Sequence, residues 1–90
     1  MKLIITIVHS DDADQLTAAL REKGYRSTKI STTGGFLRAG NATILVGADD
    51  AKADDVLTVI QQACHHHKEA GVEIGGATVF VFDVVRHERI

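Results

Sequence analysis

The sequence predicts an α+β domain: a ferredoxin-like βαββαβ antiparallel sheet with two helices on one face. Three observations lead there. Four β-rich segments and two amphipathic ones follow one another in that order. The chain of 90 residues is one domain's length, spanning 1–90. Glycines punctuate the segments, and there are eight of them and no proline to break an element from within.

Residues 2–8 (KLIITIV) form a short, apolar, β-branched run and read as a buried strand. Ser10 and Asp11 are N-cap candidates for a helix over 11–23, in which Ala13, Leu16, Ala19 and Leu20 recur at helical spacing and Gly24 supplies the stop. Residues 25–31 (YRSTKIS) alternate large and polar and read as a second strand; 41–46 (NATILV) read as a third. Asp49 and Asp50 favour a helix start. Val56, Leu57, Ile60 and Cys64, with Ala53 upstream, then give a second helix over about 51–66. Only a short connection, HHHKEAG, is expected before the last strand, residues 77–85 (ATVFVFDVV), whose approach through Gly75 and Gly76 suggests a bulge or close backbone contact. One face of such a sheet is left without helices and must be covered or paired, which an oligomer does.

Several function classes are excluded at this level. Net charge is −2, so no basic field is present to recruit a nucleic acid polymer or an anionic membrane. No apolar run approaches the ~20 residues that span a bilayer, and residues 3–8 are too short for a signal segment. The single cysteine, Cys64, rules out an internal disulfide and fits a reducing, cytoplasmic setting. Ser10, Ser27 and Ser31 lack a nucleophile elbow, the aspartates suit helix starts, and nothing in the spacing of His9 and His87 marks an acid–base pair, so no catalytic residue is expected. Neighbouring helical residues point ~100° apart, so His65, His66 and His67 cannot converge on one metal ion within a chain. Three copies of one of them around a symmetry axis could.

The segment Thr32–Gly47, TTGGFLRAGNATILVG, is the most distinctive. It is neither a P-loop nor a Rossmann fingerprint, because it joins two strands of a hairpin. Its glycines let a ligand approach the backbone. Arg38, together with Arg26, offers a charged fork for a phosphate or base edge. Asn41 can donate to and accept from a base edge, and Phe36 offers a stacking face. A hairpin loop with its Phe36–Leu37 pair in a subunit interface accounts for the same residues equally well.

TTGGFLRAGNATILVG, together with EIGGATVFVFDV and the lead-in YRSTKI, resembles the PII-like cyclic-di-AMP receptor family of the PstA/DarA type, from Met1 to about Val84. The resemblance implies a PII-like domain assembled as a homotrimer, one cyclic dinucleotide at each subunit interface, no enzymatic activity, no cofactor, and a signal passed to a downstream protein. It implies that Arg26 and Thr28 contact the ligand from the second strand. Gly35, Phe36 and Leu37 hold one adenine, Asn41 reads a base edge, Gly47 allows close approach, and Phe80 covers the other base. Family members carry a polar residue, often asparagine, where this chain has Gly24. They end in polar and aromatic residues where it has RHERI, and they have a loop of roughly twenty residues where it has HHHKEAG. Two further readings stand beside cyclic di-AMP: a PII-like sensor of another adenine nucleotide or small anion, and the trimeric metal-binding module built on His65–His67.

Overall fold

The central strand β1 runs Lys2–His9 and leads directly into helix α1, Ser10–Glu22. β2 (Ser27–Ile30) and β3 (Asn41–Ala48) follow, then a 3-10 turn (Asp50–Lys52) and helix α2 (Ala53–Ala63). β4 (His67–Glu69) pairs with β5 (Val72–Ile74), and β6 (Ala77–Asp83) is the last strand. This computed structural model describes residues 1–30, 41–64, 67–69, 72–74 and 76–90. The main sheet has the order β2-β3-β1-β6, with every neighbouring pair antiparallel. That is the expected ferredoxin-like α+β arrangement, with a small two-stranded sheet added.

The alternation of side chains across a strand divides the molecule into a closed and an open face. Ile4, Thr6 and Val8 of β1 are buried together with Ala42, Ile44 and Val46 of β3. The helices complete this core with Leu16 and Leu20 of α1 and Val56 and Ile60 of α2, all between 0% and 2% exposed. The intervening residues Ile5, Ile7 and Leu45 turn to the other face, which carries no helix among the described residues. β6 is an edge strand, so the helix layer covers it poorly. Phe80, Val81 and Phe82 are 47%, 45% and 49% exposed although successive residues point to opposite faces.

Gly24 ends α1 as the sequence suggests, and the reason is visible. Its φ of 85° lies in the left-handed region. Gly24 N–H donates to the Arg21 carbonyl at 2.9 Å, and Tyr25 N–H donates to the Leu20 carbonyl at 2.9 Å. The pair of bonds is a Schellman motif, with Tyr25 packed on the core beyond it.

Several features differ from expectation. The N-cap of α1 is His9, not Ser10 or Asp11: its Nδ1 accepts from the Asp11 N–H at 3.2 Å, which a ring nitrogen does as well as a hydroxyl. The expected second strand over 25–31 is regular only over Ser27–Ile30, because Tyr25 belongs to the helix cap. α2 stops at Ala63 rather than near residue 66. Cys64 donates its N–H to the Ile60 carbonyl but turns extended, with φ −101° and ψ 132°. Its buried thiol continued the apolar pattern past the helix end. Finally, the expected short connection HHHKEAG is not simply a loop: His67↔Ile74, Lys68↔Glu73 and Glu69↔Val72 pair as a hairpin. Three-residue strands are too short to show a period. The last strand ends at Asp83, although Val84 N–H still reaches the Met1 carbonyl at 3.0 Å.

Cys64 sits where α2 meets Ala77 and Val79. Burial first, and the Asp12 charge second, push its thiol up to about 11. At pH 8 only about 0.1% is then thiolate, the form that reacts. A thiol-specific disulfide reagent should modify the native protein roughly a hundredfold more slowly than the urea-unfolded chain. Equal rates would mean that Cys64 is open to solvent.

Candidate functional site

The register across the sheet decides which expected site residues meet. Thr28 pairs with Leu45, Leu45 with Ile5, and Ile5 with Phe80, so these four residues form one row on the open face. At about 4.8 Å per strand, Thr28 and Phe80 lie roughly 14 Å apart on opposite edges. Gly47 pairs with Leu3, and Leu3 with Phe82, in the row two residues on. Asn41 pairs with His9 at the other end of β3. Six residues at ~3.3 Å put it about 20 Å from Gly47. One nucleobase cannot touch both.

Arg26 and Gly47 do come together. They share a surface depression of about 420 Å³ at the end of the sheet where α1 ends, β2 begins and β3 meets the 3-10 turn. Its rim also carries Lys23, Gly24 and Lys52. A Cβ placed on Gly47 would meet only the Met1 Cε, at 3.0 Å. That is the far end of a flexible side chain. The chain's own packing therefore makes little demand for glycine at 47, and the missing side chain leaves the backbone there open to close approach from outside.

Tyr25 stiffens this end of the site. Its hydroxyl donates to Asp55 Oδ2 of α2 at 2.5 Å, and this bond, ahead of burial and the carboxylate's charge, raises the phenol above its ordinary range. The Met1 ammonium pairs with Asp50 at 2.7 Å, and the same bond holds the Asp50 carboxyl below its ordinary range. These two contacts tie the start of β2 and the chain's first residue to α2 and the turn before it.

Phe80 lies in a shallow apolar area of about 520 Å³ with Ile5, Leu45, Ile30 and Phe82. A single chain thus presents Arg26, Gly47 and Thr28 on one flank, Phe80 on the other, and Asn41 at the far end, with an apolar sheet face between. Gly35, Phe36 and Leu37, like Arg38, His65 and His66, lie outside the described residues. Since α2 ends at Ala63, the helical argument against convergence does not apply to the histidine run. Among the described residues no group of three or more His, Cys, Asp or Glu is placed to hold a metal ion, and no helix is long and apolar enough to cross a membrane. Lys23 and Lys52 on the depression were not singled out by sequence, because they come from separate elements and belong to no motif.

Fold and site together describe a ferredoxin-like domain with a ligand-sized polar depression at one sheet end and an apolar face on which no described helix packs: the architecture of a small-ligand-binding module. The cyclic-di-AMP receptor family model matches residues 1–70, and the chain belongs to that family. Among solved structures it is similar to a functionally unknown protein from Pediococcus pentosaceus ATCC 25745, with 40% sequence identity and a TM-score of 0.82. That likeness covers 99% of this chain and 96% of the other, so it includes β5 and β6, which lie beyond the family match.

Proposed function

We propose that this protein is a non-enzymatic cytoplasmic sensor that binds cyclic di-AMP between subunits of a homotrimer and passes the signal to a downstream protein. One observation carries the reading: among the described residues the expected ligand contacts are spread over two flanks and one end of the apolar face, and only Arg26 and Gly47 meet within one chain. Packing copies through that face removes its apolar surface from water and sets the β2 flank of one copy beside the β6 flank of the next. Arg26, Thr28 and Gly47 then face Phe80 of a neighbour around one ligand, to which Asn41, Gly35, Phe36 and Leu37 add contacts. A cyclic dinucleotide with two bases suits a site supplied from two chains. The mechanism is population shift: the ligand favours the conformation in which its contacts are ordered by as much as its affinity differs between states.

Calorimetric titration with cyclic di-AMP, cyclic di-GMP and ATP in parallel tests this. Cyclic di-AMP should bind, with the other two weaker by tenfold or more. Arg26→Ala and Asn41→Ala should each weaken binding by about 1.5–3 kcal/mol, the range for a hydrogen bond to a charged or buried polar group, and leave the mass by light scattering unchanged. Absence of heat with cyclic di-AMP at high protein concentration would sink the reading. Preferential binding of ATP would point to another adenine-nucleotide sensor. Metal retained after tag-free purification would support the His65–His67 module.

A further inference from the structure

The depression at Gly24 has a charge pattern that the chain as a whole does not. The full sequence carries net charge −2. Around this one depression stand three cations, Lys23, Arg26 and Lys52, and one carboxylate, Asp49. The Met1 ammonium at its edge is already matched by Asp50, so that pair adds no net charge. The surplus is two positive charges around a depression that Arg26 and Gly47 of the proposed site share.

The lysines differ in how they are employed. Lys2 pairs with Asp83, and Lys29 lies 3.9 Å from Asp14 Oδ1. Lys23 and Lys52 make no such pair with any described residue. Both are exposed, and both stem from positions the backbone fixes. Lys23 is the C-cap of α1, with its N–H on the Ala19 and Leu20 carbonyls at 3.3 Å and 3.2 Å. Lys52 closes the 3-10 turn, with its N–H on the Asp49 carbonyl at 2.8 Å. Between them Gly24 leaves open space: nothing lies within 4 Å of where its Cβ would be. Two long cationic side chains rooted on hydrogen-bonded turns at one depression suit a compact anion. An ammonium binds phosphate as a point charge, while the Arg26 guanidinium beside it adds a planar fork.

We infer that Lys23 and Lys52 are phosphate-binding residues of this site: with Arg26 they hold the charged backbone of the bound nucleotide. The inference rests on the cyclic-dinucleotide reading and deepens it by dividing the labour. The sheet end around Gly24 takes the phosphates, whose two negative charges match the local surplus. Asn41 and Phe80 take the bases.

The test is calorimetry with cyclic di-AMP on the full-length wild type, Lys23→Gln, Lys52→Gln, the double variant, and Arg86→Gln as a control cation removed elsewhere. Each lysine variant should bind about three- to tenfold more weakly at about 0.05 M salt, with melting temperature and mass unchanged. Raising salt to about 0.5 M screens exposed charges, so wild-type affinity should fall while the double variant's falls much less. Arg86→Gln should behave as wild type. Wild-type binding with unchanged affinity and salt dependence in the double variant overturns this inference and leaves the receptor reading standing. An Arg86→Gln loss equal to that of the lysines also overturns it, since net charge alone would then explain the effect. No wild-type binding overturns both.

Discussion

Ile44→Ala should cost about 3–5 kcal/mol of folding stability. Ile44 sits at the middle of β3, 0% exposed, between Thr6 of β1 and Lys29 of β2, with its side chain toward the helices. Removing three carbons there loses their transfer free energy and leaves a cavity that helices on one side and a paired strand on the other cannot collapse. Alanine is also the poorer strand residue. A domain of this size has only about 5–15 kcal/mol in total, so the variant should be near unfolding at 37 °C. Urea titration at fixed protein concentration should show a lower midpoint with an unchanged slope. Ile44→Val should lose only about 0.5–1.5 kcal/mol. A loss below about 1 kcal/mol for the alanine would mean that the core is not centred on this strand.

Phe80→Asp should leave the chain folded and break the proposed assembly. Phe80 is outside the helix-side core and 47% exposed, so its replacement removes nothing that α1 or α2 packs against. In the proposed trimer the same position is buried against a neighbouring copy. An unpaired carboxylate buried there costs about 3–5 kcal/mol per subunit, a weakening of association by over a hundredfold. Light scattering across a dilution series should find monomers at concentrations where the proposed wild-type trimer holds together, with the helical circular dichroism signal intact. Phe80→Leu separates the two proposed roles of this residue. It keeps the apolar surface and the assembly, but loses the ring, and with it about 1–3 kcal/mol of base stacking. Wild-type mass for the aspartate variant would show that the open face is not the interface.

Both experiments probe one consequence of the sheet's alternation, and that consequence was partly visible in sequence. KLIITIV has apolar side chains at both parities, which a strand needs only if both of its faces end up away from water. The structure covers one of those faces with helices and leaves the other to be covered. The helix faces were legible for the same reason: Leu16, Leu20, Val56 and Ile60 recur at a 3.6-residue period and all are buried. Where periodicity fails, so did the reading. The hairpin at His67–Ile74 is too short to show a period, and Cys64 kept the α2 pattern running although its own backbone had already turned extended.

The candidate site divides along the same line. Residue types able to meet a phosphate or a base, such as Arg26 and Asn41, are properties of the local sequence, since a guanidinium and an amide carry their chemistry wherever they stand. So are the left-handed turn at Gly24 and the order of elements, which are set by conformational preference and by short-range pattern. Which of these residues meet is a matter of strand register and of packing between distant segments. Only the tertiary structure put Arg26 beside Gly47, separated Asn41 from both by the length of β3, and gathered Lys23 and Lys52 from two different turns onto one depression. Proximity of that kind depends on contacts between residues far apart in the chain, and no local pattern encodes it.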